Sequence, residues 1–203
     1  CIPIDPFYLS WKAKQFGSEA RFIELAGQIN GAMPKHVVGL TALALNGRKK
    51  ALNGSRVLVV GVAYKPAIDD IRESPALDII ELLNKAGADV TWYDPHVPAL
   101  PAGIHGKQLQ DWSKAGLAGF DAAVIVTPHP TVDHKVLLGS GPLVVDTRNL
   151  MAPLVVTAAL LAGQIGRVDR VYTMFDDRRP LAPTVDALPH TVSPLRLFPR
   201  GAR

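Results

Sequence analysis

A short β-branched run, Val57-Leu58-Val59-Val60, passes directly into Gly61 and a polar turn that closes at Ser74-Pro75. Four apolar residues bounded by a glycine read as a strand buried on both faces. Beyond the turn, Leu77 to Ala86 is an amphipathic helix, with Ser74 as N-cap, Pro75 at the first helical position and Gly87 after the last turn. Strand, turn and helix in that order form the repeating unit of a parallel sheet, which few other architectures accommodate. The turn also has a chemical reading. Gly61 permits close backbone approach, a helix N-terminus points its N–H groups outward, and Lys65 and Arg72 add positive charge, which together suit a phosphate. A plain βα turn with surface cations accounts for the same residues. The Gly-x-Gly-x-x-Gly fingerprint is absent here, so an ordinary dinucleotide site is disfavoured.

The alternation continues along the chain. Strands are expected at Asp89–Tyr93, Ala122–Val126 and Leu143–Asp146, with short helices near Leu109–Ala115 and Val132–Leu138. The fold class is therefore α/β, a Rossmann-like parallel sheet with helices on both faces. Ligands of such sheets bind beyond the carboxyl ends of the strands, where Gly61 to Arg72, Asp94, Thr127 and Arg148 all fall, so one shared pocket is expected. Asp94-Pro95 mimics a ribose-binding acid but lies too far from Gly61, and is read as a chain-turning element. Ahead of the sheet, Pro6 to Phe16 reads as a helix ended by Gly17. From Ser18 a second helical pattern carries Phe22, Ile23, Leu25, Ala26 and Ile29; Met33-Pro34 is expected to break it and start another helix with Val37, Val38, Leu40 and Leu45. The expected division is residues 1–54 as a loop and helical segment, 55–150 as the α/β domain and 151–203 as an uncertain tail. In that tail only Leu154–Leu161 is apolar enough for a helix.

Composition narrows the function classes. With 48% hydrophobic and 20% charged residues, the 203-residue chain has material for a packed core and does not resemble a disordered protein. No apolar run approaches the roughly 20 residues needed to cross a bilayer. The net charge of +4 comes from scattered cations without an aromatic-interleaved stripe, which argues against nucleic acid. A lone cysteine excludes an internal disulfide or a C-x-x-C metal site and fits a reducing cytoplasm. His129 and His134 lack metal-ligand spacing, and no metal is expected.

Three blocks carry a family resemblance. Gly61-Val62-Ala63-Tyr64-Lys65 with Asp70-Ile71-Arg72-Glu73-Ser74-Pro75-Ala76 is similar to the C-terminal domain of the UDP-glucose/GDP-mannose dehydrogenase family. Cys1-Ile2-Pro3-Ile4-Asp5 resembles that family's catalytic-cysteine motif, and Asp146-Thr147-Arg148-Asn149 resembles its late D-x-R-N block. The resemblance covers residues 1 to about 150. It implies an NAD-dependent oxidation of the C6 hydroxyl of a UDP-sugar to a carboxylate, in a cytoplasmic enzyme of polysaccharide biosynthesis. In this chemistry Cys1 attacks an aldehyde as a thiolate, forming a thiohemiacetal and then a thioester, because sulfur both attacks and leaves well. Asp5 resembles the aspartate that moves the proton or activates water. By the same resemblance Tyr64, Lys65 and Arg148 bind the substrate and Arg72 faces NAD, although an Arg148 salt bridge to Asp146 and pairing of Arg72 with Asp69, Asp70 or Glu73 remain open alternatives. The helical segment, residues 18–50, is implied to pair two subunits as a homodimer. Ile4, where UDP-glucose enzymes often carry lysine, argues against a strict UDP-glucose dehydrogenase; the motifs more closely resemble UDP-N-acetylhexosamine 6-dehydrogenases, with UDP-N-acetylglucosamine favoured and UDP-N-acetylgalactosamine or UDP-N-acetylmannosamine next. The family's N-terminal dinucleotide-binding half has no counterpart in these blocks, so the chain reads as a C-terminal portion expected to be inactive alone. A non-catalytic nucleotide-sugar-binding or dimerisation domain is the rival reading.

Overall fold

The computed structural model describes residues 4–151 and 171–173, for the last three the backbone only. Cys1, the expected helix Leu154–Leu161 and the Pro-rich end lie outside the described residues. Helices α1 (Asp5–Gln15) and α2 (Arg21–Asn46) precede an alternating series: β1 (Arg56–Val60), α3 (Pro75–Lys85), β2 (Asp89–Tyr93), β3 (Lys107–Gln108), α4 (Lys114–Leu117), β4 (Ala122–Ile125), a 3-10 turn His134–Leu137, β5 (Leu143–Asp146) and β6 (Val171–Thr173). The six strands form one parallel sheet in the order β3-β2-β1-β4-β5-β6. The α/β class and Rossmann-like sheet expected from the sequence are present. β6 extends that sheet at the β5 edge, within residues that the sequence reading left as a tail.

Alternation along the central strands builds two cores. Val57 and Val59 face Val124, Val145 and the helices α2 and α3. Leu58 and Val60 face the opposite layer, with Ala123, Ile125, Leu117, Phe120 and Leu137. β1, β4 and β5 are therefore apolar at nearly every position, as a sheet covered on both faces requires. α3 forms as read: Ser74 Oγ accepts the Ala76 N–H, Pro75 stands at the first turn, and Gly87 at φ +83° follows the C-terminus.

The expected break at Pro34 does not occur. α2 runs unbroken for 26 residues with Pro34 inside it. The proline forfeits its own N–H bond, a loss worth about 3 kcal/mol in an isolated helix. Burial of Pro34, Val37, Thr41, Ala44 and Leu45 against α3 and the sheet outweighs that local cost. Gly27 on the same helix accepts the Phe7 ring of α1, where a Cβ would come within 2.0 Å of that ring. Ser10 and Lys14 of α1 both reach Glu24 of α2, completing the docking of the two helices.

Two expected helices are shorter than their apolar patterns. The 109–115 region yields strand β3 ahead of it and only the four-residue α4, started by Ser113, whose Oγ accepts the Gly116 N–H. The Val132–Leu138 stretch contracts to the 3-10 turn, capped by Asp133 accepting from Lys135 N–H. Prolines 128 and 130 and the glycines at 139 and 141 leave room for a single turn.

Candidate functional site

The loops after β1, β2, β4 and β5 are tied to one another at the carboxyl edge of the sheet. Gly61 ends β1 at φ +81°, and a Cβ there would lie 1.9 Å from the Thr127 carbonyl oxygen. Its missing side chain thus admits the loop after β4. This corrects the sequence reading in which Gly61 makes room for a phosphate. The N-terminus of α3 is also committed: Ser74 caps it, Pro75 has no N–H to offer, and Glu73 and Asp78 face the adjoining cavity. The Ala76 and Leu77 N–H groups at that helix end are met by the Ser74 hydroxyl and carbonyl.

The cavity itself, about 740 Å3, opens between α1, α2, the N-terminus of α3 and the ends of β4 and β5. This lies within the roughly 300–1,000 Å3 typical of small-molecule sites. Tyr64 and Arg148 both line it, with an apolar wall that includes Phe7, Phe22, Ile23 and Val37. Arg148 is anchored twice. Its backbone N–H donates to Asp146 Oδ1 at 2.9 Å, and its Nε donates to the Val126 carbonyl at 2.7 Å. Asp146 accepts the Met151 N–H on its other oxygen at 2.6 Å. Among the described residues no carboxylate forms an ion pair with Arg148, so the Asp146 alternative is excluded there.

Lys65 is exposed and holds Nζ 5.5 Å from the centroid of the Tyr64 ring, within cation–π range. Arg72 behaves differently. Its Nε and Nη2 form a fork on Asp70 at 2.9 and 2.7 Å, with Arg72 and Asp70 side chains 86% and 37% exposed. The side-chain and backbone donors of Arg72 hold the Asp70 carboxyl down to about 2. The turn pairing left open by the sequence is therefore the observed one. Asp5 lies exposed in the first turn of α1, whose next residues, Pro6 and Phe7, enter the cavity wall.

Asp94 and Thr127 do not join Tyr64 and Arg148 in this pocket, contrary to the expected convergence. Thr127 Oγ1 donates to the Ala63 carbonyl at 2.8 Å. Asp94 is buried and fully used. Its Oδ2 accepts the N–H groups of Val62 and Ala63 at 2.8 and 2.9 Å and faces His129 Nε2 at 2.9 Å. Its Oδ1 accepts from His96 and Val97 at 2.8 and 3.2 Å. Burial works to raise this carboxyl, yet the backbone donors and His129 hold it below the ordinary aspartate value. The chain-turning role read for Asp94 is present, and no ribose can reach it. The His129 partnership escaped the sequence reading. A signal for it existed: β2 and β4 flank β1, so an acid just past β2 and a base just past β4 border the β1 turn from opposite sides.

Residues 58–153 match the model of the UDP-glucose/GDP-mannose dehydrogenase family, UDP binding domain. The chain is 32% identical over 159 residues to UDP-glucose 6-dehydrogenase TuaD of Bacillus subtilis, covering 75% of this chain and 34% of that protein. It is 37% identical over 131 residues to UDP-N-acetyl-D-mannosamine dehydrogenase of Pyrococcus horikoshii, covering 64% of this chain and 28% of the relative. The solved UDP-glucose dehydrogenase of Pyrobaculum islandicum superposes with a TM-score of 0.59 at 29% identity, over 72% of this chain and 33% of that one. The chain thus spans about a third of the length of the relatives it matches. Residues 58–153, which hold most of β1 and all of β2 to β5, therefore carry the UDP binding domain of the UDP-glucose/GDP-mannose dehydrogenase family.

Proposed function

We propose that this chain binds a UDP-sugar at the carboxyl edge of its sheet, as part of an NAD-dependent nucleotide-sugar 6-dehydrogenase, with UDP-N-acetylglucosamine the favoured substrate. The observation that carries the reading is Arg148. It is a guanidinium fixed by its own Nε, without a carboxylate partner among the described residues, on the wall of a 740 Å3 cavity. A diphosphate supplies the missing negative charge through charge-assisted hydrogen bonds. Tyr64 lines the same cavity, and Lys65 holds a second cation 5.5 Å from the centroid of its ring. The relatives are named for both UDP-glucose and UDP-N-acetyl-D-mannosamine, and Ile4, which departs from the lysine that UDP-glucose enzymes often carry, argues against glucose.

Cys1 and Asp5 take the chemical roles in this reading. Addition of the Cys1 thiol to a C6 aldehyde forms a C–S bond while its proton passes to the carbonyl oxygen, and Asp5 is the group that carries that proton. The described residues do not fit NAD. No Gly-x-Gly-x-x-Gly occurs in the 203 residues, Gly61 is filled by Thr127, and Arg72 is taken by Asp70. The contacts to that cofactor belong to the whole enzyme.

Thermal denaturation with UDP, UDP-glucose, UDP-N-acetylglucosamine and UDP-N-acetylmannosamine tests the site. A ligand at 100 times its Kd stabilises by about 2.7 kcal/mol, a rise of roughly 5–10 °C for a chain of this size. Arg148→Ala is expected to weaken binding by about 10- to 100-fold through loss of a charge-assisted contact, and Lys65→Ala by less. A folded wild type that no UDP compound shifts at millimolar concentration sinks the reading.

The helical segment supports the homodimer. Phe22, Leu25 and Ile29 follow helical spacing on α2 and are 89%, 51% and 54% exposed. Sedimentation velocity is expected to give twice the chain mass, and the Leu25→Glu, Ile29→Glu pair to return it to a monomer. A monomeric wild type at tens of micromolar refutes this assignment.

A further inference from the structure

The β1 turn that carries Tyr64 and Lys65 is held from behind. Asp94 Oδ2 takes the N–H groups of Val62 and Ala63, the two residues before Tyr64. Two residues after Lys65, the Ala67 N–H donates to His129 Nδ1 at 3.1 Å. His129 Nε2 returns to the same Asp94 oxygen. The two side chains thus span the bulge, gripping it at both ends. Both are sealed from solvent, with side-chain exposures of 1% and 0%. Thr127, also past β4, adds its hydroxyl bond to the Ala63 carbonyl, and Tyr64 N–H closes the turn on the Asp70 carbonyl.

What the grip opposes is visible in the backbone. Ala67 sits at φ +62°, a left-handed conformation that a residue with a Cβ rarely adopts. Such a residue persists where its surroundings over-determine it, and its one backbone donor is the group His129 accepts. The bonding pattern also fixes the histidine. Nε2 faces a carboxylate that has no proton to give, so it donates; Nδ1 faces an N–H, so it accepts. Only the neutral ring protonated at Nε2 satisfies both neighbours, with Asp94 orienting it and His96 packed 4.8 Å away, centroid to centroid.

We propose that Asp94 and His129 are positioning residues for the nucleotide-sugar site, holding Tyr64 and Lys65 in binding geometry through the Ala67 amide. The proposal rests on the UDP-sugar reading given above. It assigns a site role to two buried side chains that touch no ligand. Pre-organisation of this kind lowers the ordering that binding demands of the loop.

Two isosteric substitutions separate the ends of the clamp. His129→Asn keeps an acceptor near the Nδ1 position for Ala67 and loses the contact to Asp94. His129→Gln keeps a donor near the Nε2 position for Asp94 and leaves Ala67 without an acceptor. Each removes one buried bond, so both are expected to lower the melting temperature comparably. A merely structural histidine predicts equal effects on binding as well. The measurements are UDP titration calorimetry and amide hydrogen exchange at Ala67 on the full chain. The Gln variant is expected to bind UDP at least roughly tenfold more weakly and to exchange Ala67 at least tenfold faster, while the Asn variant stays within about threefold of wild type in both. Gln binding UDP like wild type, or Gln and Asn failing equally, overturns the proposal. Wild type that binds no UDP refutes the site reading instead. The exchange pattern then still decides the clamp, which stands if only Gln accelerates Ala67 and falls if the two variants exchange alike.

Discussion

Gly61→Ala is expected to lower the melting temperature by on the order of 10 °C. Two penalties combine at this position. The new Cβ meets the Thr127 carbonyl oxygen at 1.9 Å, its carbon at 2.7 Å and its nitrogen at 2.8 Å, all of them backbone atoms. Backbone cannot rotate aside as a flexible side chain does, so the overpacking cost is about 1–3 kcal/mol. The φ of +81° adds left-handed strain of about 1–2 kcal/mol. Together these remove a large share of the 5–15 kcal/mol that holds a typical domain, at about 2–4 °C per kcal/mol. Gly17 provides the internal control. It has φ +75° but nothing within 4 Å of a Cβ, so Gly17→Ala carries the strain alone. Scanning calorimetry on both variants separates the terms, and equal shifts would remove the Thr127 contact as the cause.

Asp94→Asn is the second large effect, on the order of 3–5 kcal/mol at neutral pH. The carboxylate takes four backbone donors and His129, shared between its two oxygens. An amide has one acceptor, so its NH2 must confront either Val62 and Ala63 or His96 and Val97. Each buried donor left unmet costs about 1–3 kcal/mol. The same bonds set a pH dependence. Asp94 lies below its ordinary value of 3.8 in the folded chain, so it contributes stability above that value and loses it as pH falls through the folded one. Asp121 and Asp70 are lowered too and titrate in the same acid range. The gap between wild type and Asp94→Asn isolates Asp94: it should be widest and constant above about pH 5 and narrow below about pH 4. Denaturant unfolding at a series of pH values checks this, and a gap that stays constant into strong acid contradicts it.

Where packing confirms local preference, the sequence is legible. Ser74, Pro75 and Gly87 fix the ends of α3 because capping is a short-range affair of hydrogen bonds and allowed φ values. The apolar runs of β1, β4 and β5 announce strands covered on both faces. Tyr64 and Arg148 reach one cavity wall because both follow strand ends, as the strand pattern implies. Pro34 shows the reverse. A local breaker is overruled by five buried positions whose partners lie far along the chain. The lengths of α4 and the 3-10 turn fail for a related reason, since their apolar residues serve the core without needing a full helix.

The order of strands, turns and caps around Gly61, and with it the α/β class, was determined by residues within a few positions of one another. The tertiary structure alone decided that Gly61 admits Thr127, that the Arg148 Nε is anchored on the Val126 carbonyl at the cavity wall, and that Asp94 meets His129 across β1. Those outcomes depend on distances between groups 22 to 66 positions apart, set only when the strands close side by side. Periodicity records which face a residue presents; it holds no record of which distant residue will stand opposite.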